Sequence, residues 1–350
     1  MSSQTPSVSV AFDPHGRADV AALNAWIRQD DAGRGFCIET TPFTPPLLLA
    51  LCHSVIAPLF TDREVSKKWA DDPLLLAAEV RRLQLLAYSA RALVSEQGLG
   101  GALIHLRDNA GYTIYSTGRA ADYFDGVVQF IACHEAAHAY VRQFDRPLHT
   151  NTDAESRAFE VLADLVATSW LYQRLIVGTP DTPEYRRHRG ARSHRHAVLL
   201  NVHYVLQIQL AFVAFVGLGE IIRTKAPATL KGGPTHPHSI TRYFIQQIHL
   251  MTLVETNFSG LLGKKALKVA ASWWNSSMTA LHLAGLIPGD TRSVLTADSE
   301  YAPVRRAGEL AVELDIPELR KAAPFFQAFS AAPLIAVAVE RENHGATRVE

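Results

Sequence analysis

Cysteine is scarce in this chain. The three present in 350 residues, Cys37, Cys52 and Cys133, are too few and too irregularly spaced for a disulfide framework or a zinc finger. That suits a reducing compartment, so a cytoplasmic location is expected. Net charge is also lacking: Lys plus Arg and Asp plus Glu each total 34. Bulk electrostatics therefore gives no reason to expect nucleic acid or an anionic membrane as partner. The N-terminal stretch from Met1-Ser2-Ser3-Gln4-Thr5-Pro6 lacks the basic start and apolar run of a secretory signal. No internal repeat or low-complexity tract occurs, and strand-like patterning is confined to one place.

What remains is an ordinary globular composition, 48% hydrophobic and 19% charged. It is enough for a sizeable core in one large domain or two modest ones. Apolar residues at helical spacing predict helices over 18–30 and 45–60, then one or two long helices over 62–97 with a break near Asp71-Asp72-Pro73. Residues 102–106 and 112–115 flank Asn109-Ala110-Gly111 and read as two short strands around a turn. The helical period returns over 120–144, and another helix is expected from Asp153, as its N-cap, to about residue 175. Segment 197–219 has no charged residue and follows a basic run over 186–196. It is long enough to span a membrane, yet Asn201, His203, Gln207 and Gln209 within it favour a buried core helix, with the basic run as a solvated loop. Lys231-Gly232-Gly233-Pro234 marks a break, followed by helices over 239–285, a helical pair over 300–330 and a loose tail over 340–350.

The chemistry concentrates in Cys133-His134-Glu135-Ala136-Ala137-His138. On a helix, residues four apart stack on one face, so both imidazoles can reach one ion, while Glu135 stands roughly 100° around, where it can lean over a metal-bound water. A catalytic zinc takes three protein ligands and keeps one position open. The downstream helix offers Glu160 and Asp164 on one face; Glu155 lies roughly 140° from Glu160, so the two cannot share the ion. Glu160 is the expected third ligand with Glu155 as the alternative. Asp164, one turn on, is expected to hydrogen-bond the distal nitrogen of a zinc-bound histidine. Cys133 points off the metal-facing side and reads as a buried thiol. His203 and His249 read as core histidines, and His105 and His149 as candidate substrate-side groups.

This arrangement resembles the glutamate-zincin metallopeptidases, in which His-Glu-x-x-His on one helix is followed by Glu-x-x-x-Asp on the next. It is most similar to the heat-shock and CAAX-prenyl-protease superfamily, whose members also carry a Thr-His-Pro segment followed by arginine. Here Thr235-His236-Pro237 precedes Arg242 in the same order. Weaker similarity extends to the phage-exclusion Lit peptidase. The resemblance covers residues 130–245 and implies a mainly α fold: a helical zincin-like core with a small β-hairpin or short sheet before the metal-binding helix. On that reading a helical N-terminal region spans 1–99, the catalytic core 100–255, and a helical C-terminal region packed on the core 256–350. The resemblance implies a Zn2+ ion and a peptidase acting on an intracellular protein or peptide. Glu135 would activate a zinc-bound water, while His236 or Arg242 stabilises the oxyanion, with Tyr243 as a further donor. His236 reads equally as a helix-start histidine locked by Pro237. An edge strand at 102–106 or 112–115 would hold substrate by strand addition. The alternatives are a non-catalytic zinc-stabilised binding or regulatory module and a metal site for non-peptide hydrolysis. Location at the inner membrane through 197–219 is the lesser alternative, and the pattern leaves the oligomeric state open.

Overall fold

Proline and aspartate set the helix starts in the first half of the chain. The computed structural model describes residues 8–12, 25–29, 36–111, 118–142, 152–177, 194–224, 236–257, 279–287 and 298–322, which are mainly helical. Helix α1 (Thr44–Leu51) opens with proline in its first turn and runs through a π-helical stretch, Cys52–Ile56, into α2 (Ala57–Thr61). The Asp62 carboxylate accepts from the backbone N–H groups of Glu64 and Val65 and so caps α3 (Arg63–Asp71). Asp72 does the same for Leu74 at the start of α4 (Pro73–Asn109), with Pro73 supplying a preset helical φ. The expected break at Asp71-Asp72-Pro73 is thus built from a cap and a proline.

Three short strands precede these helices: β1 (Val8–Phe12), β2 (Ala25–Gln29) and β3 (Phe36–Thr40), in spatial order β1-β3-β2. β1 runs parallel to β3 and β2 antiparallel to it, with Ile27 opposite Ile38. The helix expected over 18–30 is corrected here, since 25–29 is a strand; its Trp26 and Ile27 are types that suit a pleated surface. The strand expected at 102–106 is also corrected. Those residues belong to α4, which bends at Gly98 (φ 69°, ψ 177°) and then resumes. Gly98 can hold that positive φ without a Cβ clash. The second arm folds back on the first: Arg82 donates to the carbonyls of Asn109 and Ala110. Ala102 and Leu106, one helical turn apart, are fully buried while Ile104 is exposed, which is a helical and not an alternating pattern. The second expected strand, 112–115, lies outside the described residues. So do Cys37 beyond its backbone, His149, most of the basic run, the 231–234 break, Thr235 and the 340–350 tail.

Helices α5 (Arg119–Arg142), α6 (Asp153–Tyr172), α7 (His194–Thr224), α8 (Ser239–Asn257) and α9 (Asp298–Glu313) follow, with a π-helical extension of α6 over Gln173–Val177 and a 3-10 turn over Pro317–Ala322 after α9. The N-cap of α6 is Thr152, whose hydroxyl accepts from Glu155 N–H; Asp153, the expected cap, is the first helical residue. The chain divides into two compact units, one of Met1–Ala139, Leu210–Ala228 and Ser276–Ile287, the other of Tyr140–Gln209, Thr229–Asn275 and Pro288–Glu350. In the first, Phe43, Leu47, Leu48, Leu51, Val55 and Ile56 are fully buried, and α1 packs on α4. In the second, α6 is the central helix, buried continuously from Val161 to Ser169 and packed on α8 and α9. Among the described residues two helical stretches, Thr44–Thr61 and Val198–Thr224, are long and apolar enough to cross a membrane; 83% of the latter's apolar window is buried inside the structure, as in a core helix.

Candidate metal centre

Helix α5 buries Tyr123, Val127, Phe130, His134 and Ala137, spaced alternately by four and three. His134 therefore occupies a position on an apolar stripe, where an imidazole must find a polar partner or an ion. It is 4% exposed, and its ring lies against Phe212, which also packs on Phe130. One turn on, His138 brings its Nε2 to 3.1 Å from the Nε2 of His134. Glu135 and Cys133 flank His134 on the same helix and are partly exposed.

The third component comes from α6. One ligand atom from each of His134, His138 and Glu160 lies within 4.8 Å of the other two. Glu155, in the first turn of α6, is not in this group. The donor set fits a cation: two nitrogens on one tetrahedral zinc, each at about 2.0–2.1 Å, stand roughly 3.4 Å apart, and the observed 3.1 Å is within a few tenths of an ångström. Two imidazoles and a carboxylate are also a common catalytic zinc set, with one position left for water. The buried His134, His138 and Glu160 group can therefore hold a metal ion.

Around Glu160 the other expected residues take defined places. Its Oε1 is 3.4 Å from His236 Nε2, and its Oε2 is 3.6 Å from Arg242 Nη2. His236 is 54% exposed, Glu160 13% and Arg242 5%. Asp164, 1% exposed, accepts from Arg242 through both oxygens, at 2.7 Å from Nε and 2.8 Å from Nη2. His236 and Arg242 are thus both brought to Glu160, and Asp164 to Arg242. Tyr243 is buried, which pushes its phenol well above the ordinary value.

Three further histidines singled out in the sequence have local partners. His249 is fully buried and bonds Ser169 Oγ at 2.7 Å; burial pushes it down to about 4. His203, on α7, is likewise pushed by burial to about 4 and lies 3.3 Å from Gln207 Nε2. His105 bonds Ser89 Oγ at 2.8 Å across the bend in α4, and Asn109 lies one turn beyond it. Ser89 also donates to the Leu86 carbonyl, so this histidine ties two helix arms together.

Comparison with protein-family models, with curated proteins and with solved structures finds no match to this chain.

Two features of this region escape the sequence pattern. Tyr140 places its hydroxyl on the Glu318 carboxylate, at 3.0 and 3.3 Å, and its ring edge-on to Trp170; burial, then Glu318, raises it to about 12. Glu318 is too distant in sequence to be paired with Tyr140 by spacing. The Arg242–Asp164 pair escapes the pattern as well: Arg242, in the otherwise apolar and neutral stretch from Ser239 to Phe244, signals that a buried charge needs a partner but not which one.

Proposed function

We propose that the protein is a zinc-dependent endopeptidase that hydrolyses peptide bonds of an intracellular protein. The reading is carried by the meeting of His134, His138 and Glu160 ligand atoms within 4.8 Å, with Glu135 on the same helix as the two histidines. A structural zinc site closes its coordination and has no use for a further, non-ligating carboxylate; a hydrolytic site needs one as base. Zinc held there supplies Lewis acidity, which makes water acidic enough to lose a proton near neutral pH and polarises a substrate carbonyl.

The chain's own residues supply the rest. His134 and His138 present imidazole nitrogens, and Glu160 contributes a carboxylate, which favours a divalent cation. Glu135 takes the proton from the attacking water and returns it to the leaving amine nitrogen, so one carboxylate serves as base and then as acid. His236, exposed and 3.4 Å from Glu160, would donate a hydrogen bond to the carbonyl oxygen as charge builds on it. The scarcity of cysteine, with neither Cys52 nor Cys133 in a disulfide, suits an intracellular substrate.

The test is metal content and proteolysis of an unstructured protein substrate, measured on the wild type, Glu135→Gln and His134→Ala. The expected result is near-stoichiometric zinc in wild type and Glu135→Gln, loss of zinc in His134→Ala, and proteolysis in the wild type alone. Wild-type protein without zinc, or Glu135→Gln with undiminished proteolysis, overturns the reading.

A further inference from the structure

We propose that Arg242 is a positioning residue: anchored by Asp164, it fixes the carboxylate of Glu160 for the metal and does not itself meet substrate. This rests on the zinc reading for what Glu160 binds, though the contacts that carry it exist without an ion.

The distances assign the roles. Asp164 takes Arg242 at 2.7 and 2.8 Å with two oxygens on two nitrogens, the forked pairing that fixes a guanidinium plane as well as its position. Glu160 receives the same Nη2 at 3.6 Å, beyond a direct hydrogen bond. Of these two acids Arg242 holds Asp164 tightly, and its own contact with Glu160 is the looser one. That asymmetry suits a ligand. A guanidinium bound tightly to Glu160 alone would compete with a cation for its charge, whereas one already neutralised by Asp164 orients the carboxylate and leaves its charge for the metal.

The helix explains why one arginine serves both acids. Glu160 and Asp164 are one turn apart on α6, so their carboxylates stand on one face, and a single planar group from α8 spans them. Lysine, a point charge, cannot make that fork. Exposure separates Arg242 from His236: the former is 5% exposed, the latter 54%. The two oxygens of Glu160 are thereby distinguished, Oε2 facing the buried arginine and Oε1 the exposed histidine.

The experiment compares the wild type with Arg242→Met, Arg242→Lys and the neutral pair Asp164→Asn with Arg242→Gln. The pair is included because Arg242→Met strands the Asp164 carboxylate in the core. Zinc affinity is measured by competition with a chromophoric chelator, and the visible spectrum of the cobalt-loaded protein reports ligand geometry. Zinc binding weaker by about 10–100-fold and an altered cobalt spectrum are expected in every folded variant, lysine giving no rescue. Zinc affinity within twofold of wild type together with an unchanged cobalt spectrum overturns the proposal. A second measurement needs no metal: urea midpoints of the metal-free protein for Glu160→Gln, Arg242→Met and their combination, plus the same cycle built on the Asp164→Asn background with Arg242→Gln. Non-additive midpoints are expected, because the side chains are coupled. Should wild-type protein bind no zinc, the peptidase reading falls, while this cycle still decides: additive midpoints in both backgrounds overturn the positioning role, and coupled midpoints sustain it.

Discussion

Acidification should weaken the fold through His249 in a calculable way. The imidazole is fully buried on α8 against Ser169, and burial lowers it from 6.5 to about 4. Between those values the unfolded chain binds a proton that the folded chain refuses, so the stability it contributes is fully present above pH 6.5 and is lost as pH falls through 4. At about 1.4 kcal/mol per pH unit the complete loss is about 3 kcal/mol, of which about 2 kcal/mol is gone by pH 5. The assay is urea unfolding of wild type and His249→Gln at pH 7.5 and pH 5. The variant pays a constant cost for the lost bond to Ser169, and His203, also lowered to about 4, contributes the same slope to both proteins. The difference between the two pH responses therefore isolates His249, and wild type should lose about 2 kcal/mol more than the variant. Parallel responses would refute the reasoning, because they would mean that His249 accepts a proton in the folded protein as readily as in the unfolded one.

Two other perturbations follow from packing. Gly217→Ala should lower the melting temperature: the added Cβ would stand 2.0 Å from the Leu286 carbonyl oxygen, a backbone atom, and the cost of overpacking, about 1–3 kcal/mol or more, outweighs the helix preference for alanine of about 1 kcal/mol; an unchanged or raised melting temperature in a thermal scan contradicts this. Gln246→Leu should be neutral or stabilising in urea unfolding, because Gln246 is fully buried and both its amide atoms lack a hydrogen-bond partner among the described residues. Each such atom costs about 1–3 kcal/mol, so a destabilisation beyond about 1 kcal/mol would show that the amide is engaged.

The parts of this fold that could be read from sequence are those decided by neighbours along the chain. Asp71-Asp72-Pro73 announced a helix boundary because a cap and a proline act within three residues. The α5 stripe and the Glu160–Asp164 face followed from a 3.6-residue period. Residues 102–106 misled because a short, mostly apolar run suits a strand or a buried helix equally, and Gly98 gave no hint that the chain would bend and continue helical. Glu160 could be singled out as the acid to set beside the two histidines because only one face of α6 carries paired acids among apolar residues. The partner of Asp164 was not: local spacing offered a zinc-bound histidine, and the structure supplies Arg242, 78 residues on. No periodicity links residues that distant.

The pairs between α6 and α8 hold a nearly constant offset: Asp164 with Arg242, Ser169 with His249, and Tyr172 with the Leu253 carbonyl are separated by 78, 80 and 81 residues. The two helices therefore run in the same direction, and a long crossover must be completed before the first of these bonds forms. During synthesis the histidines and Glu160 leave the ribosome well before Arg242. A nascent chain halted short of α8 carries His134, His138 and Glu160 but lacks Arg242, so the proposed centre is completed late, after most of the surrounding protein already exists.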